Sequence, residues 1–202
     1  MKYRVHVSKL DWAELWLLAG ESLLRFFLLI PVKIFGASWF DKVNEQRFDL
    51  EPLTLEQVPA QFRAESGDAA GKMAAMGFSF LFADIPPASF TGCTLYFQNA
   101  ELVVQYICRN GPPVITLITF MLDGRILVTS SDTSGIGNGG LTILQIVRNR
   151  TCKDILQFHR HRFDAADART LSRADLITRL EQVTRKVFEF NLSRGVYEVM
   201  EN

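Results

Sequence analysis

Two β-rich runs joined by an Asp-Gly pair occupy residues 114–130, which read VITLITFMLDGRILVTS. Asp123 and Gly124 both tolerate a positive φ, so the pair strongly predicts a tight β-hairpin between the two runs. Along Val114–Leu122, apolar side chains fall on both faces of an extended chain, so both faces should be covered. The stretch therefore predicts the centre of an antiparallel sheet, with Arg125–Ser130 as the next strand.

Three more β-rich runs precede this hairpin and extend the expected sheet. They are Phe78–Ala83, Thr94–Gln98 and Leu102–Arg109. The pairs Asn99-Ala100 and Asn110-Gly111 separate consecutive runs, and connections this short join antiparallel neighbours. The sequence therefore predicts a four- or five-stranded antiparallel meander.

Helical patterns flank these strands on both sides. Pro59 suits the first turn of a helix that Gly77 is placed to end. Two motifs after the strands resemble capping boxes in which Asp replaces the usual Glu, namely Thr151-x-x-Asp154 and Ser172-x-x-Asp175. The order helix, strands, helices predicts an α+β fold in which helices cover the meander, rather than βαβ winding.

The N-terminal part of the chain is the most apolar, and residues 10–40 read LDWAELWLLAGESLLRFFLLIPVKIFGASWF. On one continuous helix, at about 100° per residue, the polar side chains fall within an arc of about 120°. They are Asp11, Glu14, Glu21, Ser22, Arg25 and Lys33. Glu21 precedes Arg25 by four residues, the order that favours an ion pair. The remaining circumference is apolar, so we predict an amphipathic, membrane-associated helix.

Aromatic residues stand at both ends of this segment, as they do at membrane–water boundaries. The expected membrane or partner contacts are Trp12, Trp16, Trp39 and Phe40, together with Glu21 and Arg25. Three arrangements remain open. The helix lies in the interface or enters the membrane and turns at Pro31, which we favour. Otherwise it spans the membrane with its polar stripe against a partner subunit, or it is buried in a soluble core or oligomer interface.

Composition and charge limit the classes to which the whole chain can belong. The 202 residues are 48% hydrophobic and 22% charged, which excludes a disordered chain. The net charge is zero, so the chain as a whole has no positive charge that would attract nucleic acid. We predict three parts: an N-terminal segment over 1–40, a linker over 41–58 and one α+β domain over 59–202. Three widely spaced cysteines suit a reducing compartment. We therefore expect the globular domain on the cytoplasmic side of a membrane.

A glycine-rich segment over 134–140 contains the spacing G-x-G-x-x-G at Gly135, Gly137 and Gly140. A dinucleotide site needs this spacing inside a βαβ unit, with an acidic residue about 20 positions later. Here the preceding strand belongs to a meander and a basic region follows. A connecting loop is therefore favoured over an anion-binding nest, and no cofactor is predicted.

A basic segment surrounds His159 and His161. On a helix these two histidines lie about 200° apart, so they cannot bind one metal ion together, and no metal site is predicted. A solvated basic face is favoured. The alternative is contact with anionic lipid head groups, at about 1 kcal/mol per basic residue. The residues for that contact are Arg148, Arg150, Lys153, Arg160 and Arg162.

Recognisable catalytic motifs are absent from the sequence, since G-x-S-x-G does not occur and the cysteines have no histidine partner by motif. We therefore expect a non-catalytic accessory or scaffolding subunit, attached to membrane lipids or a membrane-protein partner and compatible with an oligomer. Two alternatives remain. The first is a module that binds a lipid or a small apolar ligand. The second is an enzyme that uses His159 or His161 as its acid/base.

Overall fold

A computed structural model describes residues 1–19, 22–36, 38, 41–86, 92–132, 142–147 and 150–200. Over these residues the chain is an α+β protein with nine strands in two sheets and five α-helices. The strands are β1 (Lys2–Val5), β2 (Lys42–Glu45), β3 (Ser79–Asp84), β4 (Gly92–Gln98), β5 (Val103–Arg109), β6 (Val114–Phe120), β7 (Ile126–Ser130), β8 (Thr142–Ile146) and β9 (Tyr197–Val199). The helices are α1 (Trp12–Leu18), α2 (Leu23–Phe35), α3 (Ala60–Ala75), α4 (Cys152–Arg160) and α5 (Arg173–Ser193).

The larger sheet is the predicted meander with one strand added. Its order is β3-β4-β5-β6-β7-β8, and every neighbouring pair is antiparallel except β7 and β8. β6 is interior and is buried on both faces, as predicted. Gly124 has a φ of 86° in the turn after β6, which confirms the Asp-Gly hairpin. The predicted four or five strands are corrected to six, because β8 returns parallel to β7 and extends the edge.

One buried cluster joins α3 and α4 to the larger sheet. Its helical members are Phe62, Ala69, Met73, Ile155 and Leu156, and its strand members include Leu95, Val104 and Leu117. At the start of α4, Thr151 Oγ1 accepts from the Asp154 N–H at 3.2 Å, and the Thr151 N–H donates to Asp154 Oδ2 at 3.1 Å. This reciprocal pair confirms the predicted capping box and fixes where α4 begins.

The N-terminal segment corrects the prediction of one continuous amphipathic helix. The chain first forms β1, then a 3-10 turn at Val7–Lys9, and two short helices, α1 and α2, replace the single one. Capping explains the division, because Asp11 forms a capping box with Glu14 at the start of α1 and Ser22 caps α2. Helix α2 continues through Pro31, so the chain does not turn there.

A three-stranded antiparallel sheet of order β2-β1-β9 was missed by the sequence analysis. Tyr3 of β1 pairs with Asn44 on one side and with Val199 on the other. The buried cluster beside this sheet draws on β1, the first helices and the C-terminal part of the chain. It comprises Tyr3, Val5, Val7, Leu10, Leu15, Ala19, Leu29, Val32, Phe188 and Val196.

By their contacts, the described residues form two units. The small-sheet unit contains those of 1–48 and 180–202, and the large-sheet unit contains those of 49–132 and 142–179. Strand β2 lies inside the segment predicted as a linker, and the last residues of the predicted single domain belong with the small sheet.

Within the described ranges, none of the helices has the length and apolar character needed to cross a membrane.

Candidate functional site

Helix α2 presents an exposed apolar face. Six large side chains on it are each between 61% and 81% exposed, namely Leu23, Leu24, Phe27, Leu28, Ile34 and Phe35. Pro31 is also exposed, and at about 100° per residue these seven positions fall within an arc of about 140°. Single exposed apolar residues are ordinary, but a contiguous face of this kind is a candidate contact surface. We call these seven residues the α2 face.

The opposite side of α2 is anchored to its own unit. Leu29 and Val32 are buried in the small-sheet cluster. Lys33 Nζ donates to the carbonyl of Ser8 at 3.2 Å and to the carbonyl of Leu10. The same ammonium lies 5.7 Å from the ring centroid of Trp12, a cation–π contact. These contacts hold the α2 face outward on an ordered helix.

An apolar cavity of about 340 Å³ lies in the same unit. Its apolar lining residues are Val5, Val7, Leu10, Leu18, Ala19, Leu28 and Leu29. The polar lining residues are Arg25, Lys42 and Asn44. Leu18 and Leu28 are both exposed, and Leu28 also belongs to the α2 face. An apolar interior with a few polar groups is the usual composition of a small-molecule site.

Most of the described charged residues of the predicted polar stripe make contacts within the small-sheet unit. Glu14 is buried, and Arg194 Nη2 lies 2.9 Å from its Oε1 and 2.6 Å from its Oε2. Asp11 caps α1, and Lys33 binds the backbone carbonyls already described. Arg25 is exposed and, unlike the other three, lines the cavity described above.

The predicted aromatic contacts have mixed placements. Trp12 is about half exposed, whereas Trp16 is partly buried with its ring centroid 5.2 Å from that of Phe26. Glu21, Trp39 and Phe40 lie outside the described residues. The sequence analysis did not select the members of the α2 face. The signal that could have found them is the run LLRFFLLIPVKIF read as a separate helix after the Ser22 cap.

The basic residues predicted for head-group contact lie on or beside α4. Arg150, Lys153, Arg160 and Arg162 are exposed, and Arg162 Nε donates to Gln145 Oε1 at 3.2 Å. His161 is exposed beside them. Arg148 and the glycine-rich segment 134–140 lie outside the described residues. The placed cations therefore form an accessible basic surface on the large-sheet unit.

His159 lies in the core of the large-sheet unit with 0% of its surface exposed. Its Nε2 is 3.0 Å from Thr119 Oγ1 and its Nδ1 is 2.7 Å from Thr129 Oγ1. Hydroxyls donate or accept, so both nitrogens of a neutral imidazole are satisfied. Burial lowers the pKa of His159 to about 4. This imidazole is neutral and is enclosed by its own core, so it does not face a substrate.

We expect the stability of the large-sheet unit to fall as the pH drops from about 6.5 toward 4. The pKa of His159 is about 4 when folded, against 6.5 for an ordinary histidine, so the unfolded chain binds more protons in this window. The loss should reach about 3 kcal/mol near pH 4. Urea unfolding of His159→Leu should show a flatter pH dependence, whereas the exposed control His161→Asn should keep the wild-type slope. An unchanged slope in His159→Leu would contradict the neutral buried state.

The thiols are not nucleophiles in this structure. Burial raises the pKa of Cys93 to about 12 and the pKa values of Cys108 and Cys152 to about 11. All three are free cysteines, protonated at neutral pH. In the part of the chain that the structure describes, His, Cys, Asp and Glu side chains form no group of three or more that could hold a metal ion.

Comparison with known proteins gives no assignment, because the chain matches no family model, no curated protein and no solved structure.

Proposed function

We propose that this protein is a peripheral membrane protein that binds the bilayer interface through the α2 face. The observation that carries the proposal is the row of six large apolar side chains left exposed on one side of an ordered helix. Burying each of them would contribute about 1.5–3 kcal/mol if transfer from water were complete. Six such residues provide ample free energy for reversible attachment, even if the interface recovers only part of it.

Lipid fits the α2 face better than a protein partner does. Protein interfaces carry about one hydrogen bond per 100–200 Å² of buried surface. The seven residues of the α2 face offer no side-chain donor or acceptor. A protein partner would therefore have to meet this patch without side-chain hydrogen bonds, whereas hydrocarbon requires none.

The proposed orientation is in the plane of the interface. Helix α2 has 13 residues and is about 20 Å long, against about 30 Å for the hydrocarbon core. Its apolar face runs along the whole helix, which suits a helix lying flat with one side in the acyl region. The exposed cations Lys9, Arg25 and Lys42 lie in the same unit, where anionic head groups could meet them.

The role that follows is that of an accessory or scaffolding subunit. In this proposal the small-sheet unit attaches to the membrane and carries the large-sheet unit, which is free to contact other components. Three free cysteines favour a reducing compartment, so we place both units on the cytoplasmic side. The basic surface on or beside α4 is a second candidate contact for anionic lipid, and Lys153 and Arg160 are the two of its exposed cations that lie on the helix itself.

Vesicle flotation tests this proposal. The intact protein should float with neutral phosphatidylcholine vesicles, because apolar burial is the main contribution, and more strongly when phosphatidylglycerol is added. Replacing Lys153 and Arg160 by glutamine should reduce the additional binding to anionic vesicles and leave binding to neutral vesicles unchanged, and the additional binding should shrink as salt rises. Protein that stays at the bottom of the gradient with both vesicle types would refute the proposal.

A further inference from the structure

The cavity of the small-sheet unit has the composition of a site for one apolar chain. Seven apolar side chains line it, five from β1, the 3-10 turn, α1 and α2, and two, Leu10 and Ala19, from the residues that directly follow the turn and α1. Its volume of about 340 Å³ lies at the lower end of the roughly 300–1,000 Å³ of ligand pockets. A single alkyl chain suits this size, whereas a complete two-chain lipid exceeds it.

The lining of the cavity also includes charged residues. Arg25 and Lys42 are exposed cations, so their charged groups lie in water rather than in an apolar interior. Asn44 adds an amide that can donate to the same group. The opening is therefore suited to an anion.

We propose that this cavity binds a single-chain anionic amphiphile, with its alkyl chain against Val5, Leu10 and Ala19 and its carboxylate or phosphate against Arg25 and Lys42. The site is not the α2 face itself, since Leu28 is the only one of the seven residues of that face that belongs to the described lining. The inference therefore goes beyond interfacial attachment and assigns a ligand-binding site.

Two sources could supply this ligand chemistry. One is a free fatty acid taken from water. The other is an acyl chain of an anionic phospholipid that bends out of the bilayer, because Leu28 belongs both to the cavity lining and to the α2 face. In both cases an anion next to an alkyl chain is recognised.

Displacement of a fluorescent fatty acid tests the site without any membrane. The intact protein should bind cis-parinaric acid in a one-to-one ratio, and decanoic acid should displace it at least about tenfold more effectively than decanol. Monomeric dihexanoyl phosphatidylglycerol is the second competitor. Stronger displacement by decanoic acid identifies the free acid as the source, and stronger displacement by the phospholipid identifies the bilayer.

Two kinds of variant connect binding to the cavity. The double variant Arg25→Gln, Lys42→Gln, with both changes at exposed positions, should bind decanoic acid at least about tenfold more weakly than wild type does. Its affinity for decanol should be unchanged. The matched control replaces Lys2 and Lys186, exposed cations of the same unit outside the described lining, and should bind like wild type. Ala19→Phe should fill the cavity and abolish probe binding. Since that change can unfold the unit, the charge variants give the decisive comparison.

Wild-type protein that does not bind the probe would overturn the proposal, and so would charge variants that bind decanoic acid as wild type does. Equal displacement by decanol and decanoic acid would remove the anion requirement and contradict the assignment. The Leu24→Glu, Phe27→Glu variant separates the two proposals, because it should lose vesicle flotation and keep probe binding. Flotation without probe binding in wild type would refute the cavity site alone.

Discussion

Replacing Leu24 and Phe27 by glutamate should abolish vesicle binding and leave the fold unchanged. The two side chains are 73% and 62% exposed, so their loss removes little packing within the protein. At about 1.5–3 kcal/mol for each large apolar side chain, two losses amount to about 3–6 kcal/mol of attachment. The partition coefficient measured by flotation should therefore fall at least about 100-fold. Circular dichroism and the urea midpoint should stay near the wild-type values.

Leu122 provides the matched control for this experiment. It is 65% exposed, but it follows β6 in the large-sheet unit and has no place in the α2 face. Leu122→Glu should float as wild type does, whereas Leu24→Glu alone should already weaken flotation. Equal losses from both single substitutions would indicate a general effect of added negative charge and would contradict a localised docking surface.

Removing the guanidinium of Arg194 should destabilise the small-sheet unit by about 3–5 kcal/mol, the usual range when one partner of a buried ion pair is lost. The Glu14 side chain is 6% exposed and that of Arg194 is 25% exposed. Glu14 Oε2 also accepts from the Asp11 N–H at 2.7 Å at the start of α1. Arg194→Ala therefore leaves a buried carboxylate without its cation and disturbs the helix beside the cavity. Urea unfolding followed by tryptophan fluorescence measures the effect.

An exposed ion pair serves as the control for Arg194. Arg125 Nε lies 2.6 Å from Asp123 Oδ2, but these side chains are 61% and 48% exposed, so Arg125→Ala should produce no measurable change. Glu14→Gln combined with Arg194→Met should recover part of the lost stability, because no charge is then left buried. A wild-type midpoint in Arg194→Ala would show that the pair does not hold α1 in place.

Local patterns predicted the parts of the fold that depend on local chemistry. The Asp123-Gly124 turn and the Thr151 capping box are both present, because each is decided by a few neighbouring residues. Strands β1 and β9 have only four and three residues, too few for a periodic pattern. Tyr3 pairs with Val199, which lies almost the whole length of the chain away, and pairing over this distance produces no local sequence pattern. The second sheet was therefore beyond the sequence analysis.

The sequence located an apolar segment but not the exposed side chains that form the candidate site. The apolar character of residues 10–40 led to the prediction of one membrane-associated helix, and Glu14 and Lys33 were assigned to its polar stripe. Their internal partners, Arg194 and the carbonyls of Ser8 and Leu10, become apparent only after folding. The cavity depends on β1 and β2 meeting α1 and α2, so its lining could not be listed from spacing along one helix.

Depth measurement by spin labelling tests the central claim most directly. In a Cys152→Ser background, the remaining native thiols, Cys93 and Cys108, are buried and should not react with the label. Labels at Leu24, Phe27 and Phe35 in the vesicle-bound protein should collide preferentially with oxygen and should lie at similar depths, because α2 lies flat in the interface. A label at Leu122 should collide preferentially with a water-soluble nickel complex. Preferential collision with nickel at all four positions, or a depth that increases steadily from Leu24 to Phe35, would contradict in-plane attachment through the α2 face.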